Sequence, residues 1–163
     1  MVRRGFGAKD YALVHPSGAI GRRLTLRVVD LLRGPETNPV VTDAATFGAA
    51  LDTVTRHTLG ATSVVDGGGR LVGLVTDGDV RRAIAAASGS VRDLLARPVS
   101  DFMTRTPTSI APDALAFDAM RVMETHRPRP ILVLPVVDPE GRAVGMIRLH
   151  DLVQAGLSRG VDA

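Results

Sequence analysis

The chain has no cysteine and no tryptophan among its 163 residues, 3% aromatic residues and one lysine, Lys9. Without cysteine there is no disulfide and no thiolate metal site, and the usage suits a cytoplasmic address. No run approaches the roughly 18 uninterrupted apolar residues of a membrane span, and the N-terminus carries no signal-peptide apolar core, so no membrane partner is expected. Scarce aromatics remove the stacking platforms that single-stranded nucleic acids require. Of the 20 cationic residues all but Lys9 are arginine, so a net charge of only +3 accompanies a pI of 10.5. That pI reflects the high pKa of guanidinium. The arginines are scattered along the chain rather than gathered, and nucleic acid is not an expected partner.

What the chain does have is a repeated text. Ser63-Val64-Val65-Asp66, Gly69-Arg70, Val72-Gly73 and Asp79 return as Pro135-Val136-Val137-Asp138, Gly141-Arg142, Val144-Gly145 and Asp151, each displaced by 72 residues (66 to 138). With 45% apolar and 23% charged residues, the length suits one domain or two fused half-domains. Such a duplication predicts two copies of one supersecondary unit, each too small to bury its apolar face alone.

Each copy reads β-α-β-β-α, an α+β unit. The copies open on Val28–Leu32 and Val99–Met103, followed by Pro-containing breaks and short β-like stretches at 40–42 and 109–111. Phe47, Ala50, Leu51 and Val54 then recur at helical spacing, matched by Ala116, Ala119, Met120 and Met123. Strands are predicted at 62–65 and 71–75, and at 131–137 and 143–148, around glycine-bearing turns. Closing helices are predicted at about 77–87 and 150–157. The boundaries are residues 27–95 for the first repeat and 96–163 for the second, with 1–26 as a turn-rich connector. The copies differ in one place. Val54 to Asp66 spans 12 residues, whereas Met123 to Asp138 spans 15, and the three extra residues fall around Arg127-Pro128-Arg129-Pro130. Two prolines there end the preceding helix and stiffen the loop.

The sharpest local pattern is Gly73-Leu74-Val75-Thr76-Asp77-Gly78-Asp79, a strand running through Thr into a helix. One reading is a capping box, in which Thr76 and Asp79 satisfy each other's backbone N–H groups for on the order of 1 kcal/mol. The other uses the same geometry on a ligand, with Asp79 accepting ribose hydroxyls, Thr76 touching the sugar and the helix N-terminus facing phosphate. Arg81 and Arg82 lie one turn on and read first as a solvated face. The residues alone leave both readings open, with the cap the simpler.

This Gly-hydrophobic-hydrophobic-Thr-x-x-Asp motif, with a Val-Val-Asp strand seven residues before the Gly, resembles a pair of CBS domains over residues 28–158. The resemblance implies two repeats packed about a pseudo-twofold axis, dimerisation into a disc, and clefts that bind adenosyl or other nucleotides. It implies that Thr76 and Asp79 contact ribose beside Asp77. It also implies that the segments 40–42 and 60–62 wall the base, through Val40, Thr42, Ala61 and Thr62. The second copy departs from the motif: Arg148 stands where Thr76 does, followed by Leu149, His150 and Asp151. Arg148 can offer a fork to a phosphate or carboxylate and His150 a pH-sensitive donor, or both are an exposed helix start and the second site is dead. His57 and His126 occupy one repeat-equivalent position at a helix end, where packing or capping is expected.

The first residues carry a second resemblance. Phe6, Asp10-Tyr11-Ala12 and His15-Pro16-Ser17-Gly18-Ala19-Ile20-Gly21-Arg22-Arg23 are similar to the junction between a sugar isomerase domain and a CBS pair in arabinose-5-phosphate isomerases. Ser17 stands where that family usually has Gly, and Leu149-His150-Asp151-Leu152 agrees with the family's close. The family interconverts ribulose 5-phosphate and arabinose 5-phosphate for the Kdo sugar of lipopolysaccharide or capsule, and the resemblance makes His15 a catalytic residue only in a full-length isomerase. The residues here show no nucleophile–base or metal constellation, so no catalysis, cofactor or metal is expected of this segment itself. The expected function is a ligand-sensing CBS pair binding a nucleotide or sugar nucleotide, such as CMP-Kdo or AMP/ATP, as part of a homodimer. The alternative is an oligomerisation module without a ligand.

Overall fold

In the computed structural model, residues 25–157 and Gly21 are described. His15 and most of the connector lie outside them. The first repeat places β1 (Val40–Thr42), α1 (Phe47–His57), β2 (Ala61–Val65), β3 (Leu71–Thr76) and α2 (Asp77–Ala86) in the expected order. Thr46 caps α1, accepting from the Ala49 N–H at 3.3 Å, and the helix buries Phe47, Ala50 and Val54, three positions of its apolar stripe. A short helix, α3 (Val91–Ala96), follows where none was expected, started by Ser90, whose side chain accepts from the Asp93 N–H.

The second repeat holds α4 (Ala116–Thr125), β5 (Val133–Val137), β6 (Ala143–Arg148) and α5 (Leu149–Gln154), after β4 (Thr104–Arg105). Three expectations shift. The stretch at 109–111 contributes a single bridging residue, Ile110, which pairs parallel to Val136. The strand expected from 131 begins at Val133, because Ile131 instead donates its N–H to the Met123 carbonyl and closes the end of α4. The last helix stops at Gln154, because Gly156 turns the chain at φ 84°.

β1 runs parallel to β2, and β2, β3 and β4 continue antiparallel in one sheet; β5 and β6 form a second. The sheets meet through residues that are one another's repeat counterparts. Arg70 bridges Arg142, with Leu71 N–H on the Gly141 carbonyl (2.9 Å) and Ala143 N–H on the Gly69 carbonyl (3.0 Å). Leu74 and Met146, also counterparts, are buried together with Ala61. A residue that pairs with its own counterpart lies on the symmetry axis, so these contacts mark a pseudo-twofold between the repeats.

The opening segments are exchanged. Val28, fully buried, joins the core of the second repeat with Met120, Met123 and Leu134, and its N–H donates to the Ala114 carbonyl. Val99, also fully buried, joins Phe47, Val64 and Val75 of the first, and its N–H donates to the Ala45 carbonyl. Each repeat thus lends its first turn to the other's core. Phe102 stacks on Phe47 with centroids 4.2 Å apart for the same reason.

Candidate functional site

A cleft of about 890 Å³ opens between the repeats and takes in both strand-to-helix junctions, Thr76 to Asp79 and Arg148 to His150. The two helices start alike. The Asp77 N–H donates to the Gly60 carbonyl and the Leu149 N–H to the Leu132 carbonyl, both at 2.9 Å. These equivalent bonds hold each junction against the loop that precedes its paired strand, and so bring both to one mouth.

At the first junction the capping box is present. One Asp79 carboxylate oxygen accepts from the Thr76 N–H (2.8 Å) and from the Thr76 hydroxyl (2.7 Å), while the Asp79 N–H donates to the Thr76 hydroxyl oxygen (3.3 Å). Arg82 pairs with the other oxygen. The cap therefore leaves both side chains on the cleft wall, where Asp77 joins them, exposed. Arg81 and Arg82, a solvated face on the sequence reading, are exposed and also line the cleft.

At the second junction a guanidinium replaces the hydroxyl and has no acceptor to return to the helix N–H. Asp151 still accepts from the Arg148 N–H (2.9 Å), and the Arg148 side chain forks onto it through Nε (3.1 Å) and Nη2 (2.7 Å). Arg148 Nη1 also reaches the Thr58 carbonyl of the first repeat, at 3.3 Å. His150 is exposed and lines the cleft, whereas Asp151 sits behind Arg148 and does not.

The proposed base-facing residues lie elsewhere. Val40 and Thr42 point outward on β1, at the edge of the sheet, and the side chains of Ala61 and Thr62 are fully buried on β2, its second strand. None of the four lines this cleft. The walls come instead from Pro107, Thr108, Ile131 and Leu132, together with Leu59. The repeat register offered part of this: Thr108 is the counterpart of Pro39 at a displacement of 69, beside the stretch chosen in the first copy. His126 was weighed as a helix-end residue. It is the C-cap residue of α4 through its backbone N–H on the Val122 carbonyl, while its ring Nδ1 lies 2.9 Å from the Arg129 carbonyl, tying the inserted loop to the cleft rim.

The lining includes Arg81 and Arg82 with Asp77 and Asp79 from the start of α2, and Arg148 from the second junction, with His126 and His150 beside them. Arg82 is paired with Asp79 and Arg148 with Asp151, which leaves Arg81, among the described residues, without a carboxylate partner at the mouth beside the exposed Asp77. Among the described residues, no group of three His, Asp or Glu is placed to hold a metal, and no helix is long and apolar enough to cross a membrane.

Three carboxyls are held below their ordinary value of 3.8: Asp66, Asp138 and Asp151. Asp66 is lowered first by the backbone N–H of Arg70, then by that of Gly68. For Asp138 and Asp151 burial pushes upward, but bonds from Arg142 and Arg148 respectively outweigh it. A depressed folded pKa adds stability that is complete above the unfolded value and lost as pH falls through the folded one. Urea midpoints should therefore hold steady in this respect at neutral pH and fall below about pH 4. Asp138→Asn should be less stable than the parent at pH 7 and approach it near pH 2. A gap that stays constant down to that pH would contradict this ionic origin.

The sequence profile of the CBS domain matches residues 28–86 and 99–158. The chain is 39% identical over 154 residues to the arabinose 5-phosphate isomerase KdsD of Pseudomonas aeruginosa, an alignment covering 94% of this chain and 45% of the isomerase. It thus spans about half the length of the curated relatives it matches. Among solved structures it is similar to CBSX2 in complex with AMP (TM-score 0.66, 25% identity, covering 81% of this chain and 96% of that one). It is also similar to the CBS-domain protein ATU1752 from Agrobacterium tumefaciens (TM-score 0.65, 29% identity, 80% and 93%). Two profile matches on the two repeats, and a pseudo-twofold joining them, lead to one conclusion: this chain belongs to the CBS domain family, as a tandem pair.

Proposed function

We propose that this pair is a ligand-sensing regulatory module that binds a nucleotide or sugar nucleotide in the inter-repeat cleft. The observation that carries the reading is the junction at Thr76. Its carboxylate and hydroxyl stay on the cleft wall while capping the helix, at a mouth that also holds Arg81 and Arg82. A ribose takes Asp79 and Thr76, and the anionic group lies toward Arg81 and Arg82. The AMP complex of a 25% identical relative supports this class of ligand. Similarity to KdsD supports an attached arabinose-5-phosphate isomerase as the unit regulated; only in such a full-length enzyme is His15 a catalytic residue. CMP-Kdo, the activated sugar downstream, is then the pathway-logical ligand. Regulation is linkage: a ligand that prefers one packing of the repeats biases whatever is joined to them. The regulated unit in this reading is a homodimer of such pairs.

A thermal-shift panel of AMP, ATP, CMP and CMP-Kdo tests this. The true ligand at about 100 times its Kd adds about 2.7 kcal/mol. Asp79→Ala should abolish that gain, while lowering the unliganded protein by only about 1 kcal/mol through the lost cap. No gain with any of the four would sink the reading in favour of a purely structural oligomerisation module.

A further inference from the structure

The cleft contains two equivalent strand-to-helix junctions, and their carboxylates are treated differently. At Asp79 one oxygen is engaged by Thr76, and the other meets Arg82, whose side chain is 66% exposed. The arginine side of that pair is open to water while the Asp79 side chain is 9% exposed, so a ribose hydroxyl there has one exposed guanidinium to displace. At Asp151 both oxygens are taken by a single partner. Arg148 meets one through its N–H and Nε and the other through Nη2, the two-pronged charge-assisted geometry that is strongest for this pair. The Arg148 side chain is 31% exposed, less than half the figure for Arg82. Asp151 at 25% is more exposed than Asp79 at 9%, so what separates the junctions is the arginine and not the burial of the carboxylate.

A second contact fixes the guanidinium from the far side. Thr58, the residue after α1, is in the left-handed conformation at φ 52°, and its carbonyl accepts from Arg148 Nη1. The inserted loop makes this contact one-sided. Thr58 is the single residue that the first repeat has where the second has 127–130. Only the short version of this turn faces Arg148. A ribose arriving at Asp151 must therefore displace both prongs of the fork and break a bond between the repeats.

From this we propose that Arg148 is a specificity-determining residue that occupies the second half-site from within the chain, so that the cleft takes one nucleotide per chain rather than two. The inference rests on the reading that the Thr76 junction accepts a ribose. It adds which of the two junctions is open and what closes the other. Arg148→Thr restores the Thr-x-x-Asp spacing with Asp151 and removes the fork and the bond to Thr58 together.

Isothermal titration with AMP decides it, using wild type, Arg148→Thr, and Arg148→Ser as a second short hydroxyl variant, each checked for a native circular dichroism spectrum. The expected stoichiometry is one AMP per chain for wild type and two for either variant. Adding Asp79→Ala to Arg148→Thr should return it to one. Two sites in wild type overturn the proposal, and so do variants that bind no more AMP than wild type. If wild type binds none while Arg148→Thr binds one, the ribose reading at Asp79 fails and the blocking role of Arg148 stands.

Discussion

Met123→Ala should cost about 2–5 kcal/mol, and the loss should be felt in both repeats at once. Met123 is fully buried in α4, at the centre of the second repeat's core, and truncation leaves a cavity that close-packed neighbours fill only in part. That core also contains Val28, with Leu31 and Leu32 against it, whose segment leads into the first repeat. The first repeat's core in turn holds Val99, Phe102 and Met103. Loosening either core releases a segment tethered to the other, so the pair should unfold as one cooperative unit. Hydrogen exchange read by mass spectrometry checks this. Protection of β2 and β3 should fall together with that of β5 and β6, and loss confined to the second repeat would refute the coupling.

A second large effect is expected where these exchanged segments cross the sheets. Gly73 and Gly145 are repeat counterparts, and each lies under a side chain from the other repeat's opening. A Cβ on Gly73 would stand 2.3 Å from the Met103 sulfur and 3.2 Å from its Cβ; one on Gly145 would stand 2.7 Å from a Leu32 methyl. Gly73→Val should therefore destabilise by about 1–3 kcal/mol through overpacking. Met103→Ala, at a partly buried site, should be destabilising alone yet restore much of the loss when combined with Gly73→Val. A double-mutant cycle in urea should give a coupling of about 0.5–3 kcal/mol, as contacting residues do. Additive costs would mean that Met103 is not what makes glycine necessary at position 73.

Much of this was legible one copy at a time. The stripe of Ala116, Ala119, Met120 and Met123 set out a helix and named its buried face correctly, all four being buried. The Thr76–Asp79 box formed as spaced, since a cap involves only neighbours within one turn. Helix α3 was passed over because six residues offer too little periodicity to register. Ile110 was read as part of a strand because β propensity describes a residue and not whether a partner edge lies alongside. The cleft walls were sought at Val40 and Ala61, whereas they are formed by Pro107, Thr108 and Leu132, because the repeat register equates the copies without saying which copy's loop faces which cleft.

By itself, the sequence determined that there are two α+β repeats, where four of their helices and the Thr76–Asp79 cap lie, and that their second junction is altered at Arg148. Those properties depend on contacts within a few residues or on a text compared with itself. Only the tertiary structure decided that the opening segments are exchanged and that Arg70 and Arg142 sit on the axis. It alone showed that Arg148 Nη1 reaches the Thr58 carbonyl of the other repeat. These are contacts between residues far apart in the chain, and their partners are set by how two half-formed cores bury their apolar faces together.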